Sequence, residues 1–156
     1  MSLSLNVYLE DALNTEAVFA ILSAAVPWSA VSRHDRRALI QGKIPGGCGS
    51  VLIADRQRQQ LCLEMYGIRP HVYASFDPDK FLPYEEACVP VLDSIASLIK
   101  ATHGNAVAAA GETPFLRRVD GTATLFNESG IFSADAGNRW RGKFDLPHDF
   151  KPRFER

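Results

Sequence analysis

The sequence predicts an α+β fold: a mainly antiparallel sheet with two principal helices packed on one face. Three observations predict it. Leu3, Leu5, Val7 and Leu9 alternate with Ser4, Asn6 and Tyr8, the period of a strand with one buried face. Two later stretches, from Val18 and from Val89, place apolar residues at helical spacing. Asp120-Gly121 stands between two strand-like runs, a strong two-residue hairpin signal.

A chain of 156 residues with 46% hydrophobic and 22% charged residues is expected to form one domain, residues 1–156, with a core that needs no staples. Its formal charge of −1 argues against a general polyanion binder. That charge is unevenly spread. Residues 138–156 hold six Lys/Arg and three Asp/Glu, a local +3, and the remainder carries −4. Cys48, Cys62 and Cys88 are odd in number and lack C-x-x-C spacing, so they read as buried thiols rather than a disulfide framework or zinc site. No basic segment followed by an apolar run opens the sequence, and no apolar stretch approaches a membrane span. The expected address is the cytoplasm of a bacterium.

The elements follow in order. After the first strand, Asn14 or Thr15 can cap a helix by accepting from a free N–H. Val18, Ile21, Leu22 and Ala25 form its stripe, and Pro27 stops it. Residues 28–49 give mixed signals, with a charged run at Arg33–Arg37 and a glycine-rich end. Ser50–Asp55 reads as a strand. Arg56–Tyr66 is polar with Leu61, Leu63 and Met65 alternating, which fits a short helix or an irregular hairpin arm. His71–Phe76 is a strand with Val72, Ala74 and Phe76 on one face and His71, Tyr73 and Ser75 on the other.

Pro83 suits the first turn of a helix, and Glu85 and Glu86 complement its dipole. Val89, Leu92, Ile95, Ala96 and Ile99 form its buried stripe. Pro90 should kink it or delay its regular start, and His103-Gly104 ends it. Ala106–Ala110 is a strand of small side chains, and Phe115–Val119 with Thr122–Phe126 form the hairpin. Residues 128–156 read as an irregular tail packed on the domain, carrying Phe132, Trp140, Phe144, Phe150 and Phe154. This order is that of a split β-α-β, ferredoxin-like variant with an extra C-terminal hairpin.

Few motifs carry chemistry. Gly42–Ser50 contains four glycines and a lysine, but a phosphate loop needs a helix N-terminus after it, and here a strand follows. A mobile or turn-forming loop is the expectation. Cys48 is a candidate nucleophile, with His34, His71 or His103 as its base, if the fold brings one within hydrogen-bond reach. The four histidines lack spacing that would put two ligands on one helical face, so no metal or cofactor is expected. Asp77 and Asp79, followed by Glu85 and Glu86, can do acid–base work, though carboxylates at a strand-to-helix junction more often shape turns and offset the helix dipole. Arg139, Arg141, Lys143, Lys151 and Arg153 interleave with the tail aromatics as in single-strand binders, but the overall charge speaks against nucleic acid.

Tyr66-Gly67-Ile68-Arg69-Pro70, the strand ending at Phe76, and Asp79-Lys80 before a helix resemble the bacterial swarming-inhibition toxin immunity family. The opening strand, the helix beginning Thr15-Glu16-Ala17-Val18 and the hairpin over residues 115–126 fit the same pattern; the tail does not. The resemblance implies a non-catalytic protein that binds and neutralises a cognate toxin, with no catalytic residues to carry over. The expected partner is thus a protein toxin, without nucleic acid or membrane, and the chain itself is a monomer or weak homodimer. Candidate anchors are Tyr73, Tyr84 and Trp140, with Asp77 and Asp79 as charged neighbours. Two alternatives stand beside this: a small enzyme using Cys48 or the Asp77, Asp79, Glu85 and Glu86 cluster, and a self-associating structural subunit.

Overall fold

A computed structural model describes residues 4–129 and 148–155. Among these residues the fold is α+β: one nine-stranded, mostly antiparallel sheet and three α-helices. In chain order the elements are β1 (Leu5–Leu9), α1 (Thr15–Ala25), β2 (Ser29–His34), β3 (Leu39–Ile44), β4 (Gly47–Ile53), α2 (Arg56–Tyr66), β5 (Val72–Pro78), α3 (Tyr84–Ala101), β6 (Ala106–Ala110), β7 (Thr113–Val119), β8 (Thr122–Phe126) and β9 (His148–Lys151). A single 3-10 turn, Asp35–Arg37, separates β2 from β3. Across the sheet the order is β2-β3-β4-β5-β1-β6-β7-β8-β9.

The first strand is therefore the central one. β5 and β6 both lie antiparallel to β1 and so run parallel to each other, joined by α3 with β1 between them. This is the split β-α-β unit. The last pairing, β8 with β9, is parallel, so part of the stretch with no pattern of its own joins the sheet.

Alternation assigns the two faces. Leu5, Val7 and Leu9 of β1, Val72, Ala74 and Phe76 of β5, and Ala106, Ala108 and Ala110 of β6 pack with Val18 and Leu22 of α1 and Val91, Leu92, Ile95 and Ile99 of α3. The side chain of Asn14 caps α1 by accepting from the Ala17 N–H. The expected stripe of α3 is buried except for Val89, which is half-buried, and Val91, Cys88 and Leu98 widen it.

The opposite face carries the third helix. Arg56–Tyr66 is α2, capped by the Asp55 side chain at one end and by left-handed Gly67 at the other. The alternating Leu61, Leu63 and Met65 do not mark a strand; Leu61 and Leu63 are exposed. Cys62 and Tyr66, one turn apart, make the buried contact instead, against Tyr8, Val107 and Ala109.

The glycine-rich stretch has two structural tasks. Ile44 pairs with Gly47, leaving Pro45-Gly46 as a two-residue turn in which Gly46 takes φ 87°, a type II pattern. Gly42 and Gly49 face each other across β3 and β4 beneath Trp28, and a Cβ on Gly49 would stand 2.6 Å from the indole. The stretch is a hairpin and a seat for Trp28, not an anion loop. Residues 28–44, where the pattern was mixed, are two strands: β2 is exposed along almost its whole length and so lacks an apolar period. The hairpin turn at Asp120-Gly121 has both residues at positive φ, 52° and 79°, as a type I′ turn requires.

Candidate functional site

The site grows from the corner where β5 leaves the sheet and α3 begins. Asp79 forms it. Its N–H donates to the Gly46 carbonyl at 2.7 Å, and its carboxylate accepts from the Phe81 N–H at 2.9 Å. The Leu82 N–H closes the turn on the Asp79 carbonyl. Pro83, extended and just ahead of the helix, fixes its entry.

Pro90 deprives the Glu86 carbonyl of its helical donor. That carbonyl and the next lie against the β3–β4 turn, where a Cβ on Gly46 would stand 2.8 Å from each. The start of α3 is thus pressed on the turn, and only glycine fits between.

This rigid backbone displays apolar side chains outward. Phe81 is 86% exposed, Tyr84 55% and Leu82 37%. The Lys80 ammonium lies 5.2 Å from the Phe81 ring centre. Partial burial of the Tyr84 hydroxyl, on the helix turn that carries Cys88, pushes it up to about 12 while the side chain as a whole stands half in water.

Around them stand Asp77, Asp79, Glu85 and Glu86, all exposed. The Asp77 carboxylate accepts from the Ser4 hydroxyl at 2.5 Å. Its register partner on β4 is the exposed Cys48, whose partner on β3 is Lys43.

Of the residues expected from sequence, the structure brings Asp77, Asp79 and Tyr84 together here, with Cys48 at the edge. Tyr73 lies elsewhere, four residues up β5. Its ring stacks with Tyr8 at 5.5 Å, and the Arg58 guanidinium lies 5.2 Å above it. A cavity of about 210 Å³ opens beside it, lined by Asp55, Gln57, Arg58, Leu61 and Tyr73. Burial in this cluster pushes the Cys62 thiol up to about 11 and raises the hydroxyls of Tyr8 and Tyr66. Trp140 lies outside the described residues, as do Phe132, Arg139, Arg141, Lys143 and Phe144.

The histidine bases proposed for Cys48 are not its register neighbours. His34 pairs with Leu39, four positions along β3 from Lys43, about 13 Å by strand rise. It borders a shallow surface depression of about 540 Å³ with Asp35, Arg36, Leu39 and Gln41. His71 and His103 lie at the opposite ends of β5 and α3 from the Cys48 corner. Among the described residues no three His, Cys, Asp or Glu side chains group as a metal site. No helix among them is long and apolar enough to cross a membrane.

Phe81 was missed by sequence reasoning. It falls between the strand and helix periods and belongs to neither, and that displacement was the available signal. The chain matches no family model, no curated protein and no solved structure.

Proposed function

We propose that this chain is a bacterial immunity protein that binds and neutralises a cognate protein toxin through the β5–α3 corner, acting by occlusion rather than catalysis in the cytoplasm. The carrying observation is Phe81, a large aromatic held 86% exposed on a turn closed by three hydrogen bonds, from the N–H groups of Asp79, Phe81 and Leu82. Moving such a ring from water into an apolar pocket contributes about 1.5–3 kcal/mol, the size of an interface hot spot. Leu82 and Tyr84 extend the apolar area, and the carboxylates form a charged rim that speeds encounter. The resemblance of residues 66–80 to the swarming-inhibition toxin immunity family supplies the kind of partner.

The test is survival. The chain is co-expressed with the toxin-like product of the gene next to its own, and survivors are counted. Rescue that accompanies a purified one-to-one complex supports the reading; neither rescue nor complex removes it.

A second reading, self-association, has one observation in its favour: β2 is an exposed strand at the edge of the sheet among the described residues. A bulge between Ser29 and Ser32, with Ala30 at φ 50°, interrupts that edge. A mass that holds constant on dilution through the micromolar range eliminates it.

A further inference from the structure

We infer that the cavity between the first turns of α2 and Tyr73 of β5 binds a small neutral α-amino acid, held by its carboxylate and its ammonium at once. The site lies away from the β5–α3 corner and does not depend on the toxin-binding reading.

Two opposite charges line this cavity, and each is positioned by a contact of its own. Asp55 caps α2, its Oδ1 accepting from the Arg58 backbone N–H at 2.8 Å. The Arg58 guanidinium lies over the sheet, 5.2 Å from the centre of the Tyr73 ring. Gln57 adds an amide to the wall, and Leu61 and the Tyr73 ring add apolar surface.

The frame beneath is preformed. The Gln59 side chain donates to the Pro70 carbonyl at 2.8 Å, and the Ala54 N–H donates to the His71 carbonyl at 3.0 Å. These bonds tie the start of α2 to the segment that leads into β5. Tyr8, Cys62 and Tyr66 are all buried, and the Tyr8 ring stands 5.5 Å from that of Tyr73. Tyr73 is thus backed by a packed layer and keeps its place in the wall.

Size and charge select the ligand. The cavity volume of about 210 Å³ is less than the roughly 300–1,000 Å³ of sites for drug-sized molecules. It equals the room of about seven waters in the liquid, enough for a ligand of about eight non-hydrogen atoms. A guanidinium set against an aromatic face presents its N–H fork to a carboxylate. Asp55, an ionised acceptor with capacity beyond its cap bond, suits an ammonium. A simple acid would meet the like charge of Asp55, and a simple amine that of Arg58. A zwitterion pairs with both, and Leu61 and Tyr73 take its aliphatic side chain.

The test is calorimetric titration of the full chain with L-valine and L-leucine. Isovalerate, which is valine without the ammonium, and isobutylamine, which is valine without the carboxylate, are the comparison ligands. Valine should bind saturably with a Kd of about 1 mM or tighter. Each comparison ligand should bind at least about tenfold more weakly. Amide shifts in NMR should be largest over residues 55–61 and at Tyr73.

Asp55→Asn keeps an oxygen for the helix cap and removes only the charge. Arg58→Gln removes the guanidinium. Each should weaken valine binding about tenfold or more, with the melting temperature of Asp55→Asn unchanged as the check on fold. Isovalerate binding as tightly as valine, or valine binding unaltered by Asp55→Asn, overturns the two-ended ligand. Shifts largest outside those residues overturn the place. No saturable binding of either amino acid up to about 20 mM overturns the whole inference. Toxin rescue and Phe81→Ala report on a different surface, so neither reading falls with the other.

Discussion

At its C-terminal end α3 is closed by Arg118. The guanidinium donates to the Ile99 carbonyl at 2.6 Å, the Thr102 hydroxyl at 2.8 Å and the Gly104 carbonyl at 2.8 Å. Asp11 takes the His103 and Gly104 N–H groups from the other side. At its N-terminal end the same helix begins beside Phe81, Leu82 and Tyr84, whose apolar surface faces water. One end has its free polar groups satisfied inside the molecule; the other leaves apolar surface unburied. The contrast shows where folding free energy was gained and where surface remains for another molecule.

The largest effect should come from breaking the closed end. Arg118 is 8% exposed, and its burial pulls its affinity for the proton down while Asp11 pulls it up; it stays charged. Arg118→Ala orphans three acceptors and should cost about 3–4 kcal/mol, read by urea denaturation. A loss below about 1 kcal/mol would make the two ends equivalent and dissolve the contrast.

Phe81→Ala probes the open end. Binding to the toxin should weaken by about 2–3 kcal/mol, while stability stays within about 0.5 kcal/mol of wild type. A protein that instead melts much earlier would show that the ring serves the fold.

Gly46→Ala separates backbone from side chains at that open end. With φ at 87° and two carbonyls 2.8 Å from the added Cβ, it should cost about 2 kcal/mol of stability. Equal stability would mean that the corner's frame is loose.

The alkaline limb compares the two faces of the sheet. The Cys62 thiol, under α2, ionises near 9.0 when unfolded and near 11 when folded. The unfolded chain therefore binds fewer protons in that window, and stability present below pH 9 should fall as pH rises to 11. The loss from this thiol should be no more than about 3 kcal/mol, followed by denaturation at each pH. Cys62→Ser should make that limb shallower while the raised Tyr8, Tyr66 and Tyr84 hydroxyls and the Cys88 thiol keep the rest of it, and an unchanged slope would assign all of it to them.

Much of this was legible. β1 and β5 set their aliphatic side chains on one face and the β7–β8 hairpin turns at Asp120-Gly121, so their pattern was visible, and Asn14 stood where a cap must stand. β2 was not, because an edge strand exposed on both faces has no apolar alternation to read. The glycines of residues 42–49 read as a mobile or turn-forming loop, and their place in two paired strands was hidden because its reason lies across the sheet, in the indole of Trp28. At the site, Asp77, Asp79 and Tyr84 were close in sequence and so were found together. The meeting of Cys48 with Asp77 depends on strand register, which sequence spacing does not encode. Tyr73 looked like a surface anchor from alternation alone, before α2 was known to bring Arg58 over its ring.

The central position of β1 also has a consequence in time. Leu5 pairs with Phe76 on one side and Ala110 on the other. During synthesis β1 has no sheet neighbour until β5 has been translated, and its second neighbour, β6, comes later still. The nascent chain must carry Leu5, Val7 and Leu9 unpaired until β5 has emerged, and the sheet can close on their other side only after β6. Such non-local pairing slows folding and lengthens the interval in which an apolar strand is open to wrong partners. The clock for this molecule is set by the distance from its first strand to its sixth.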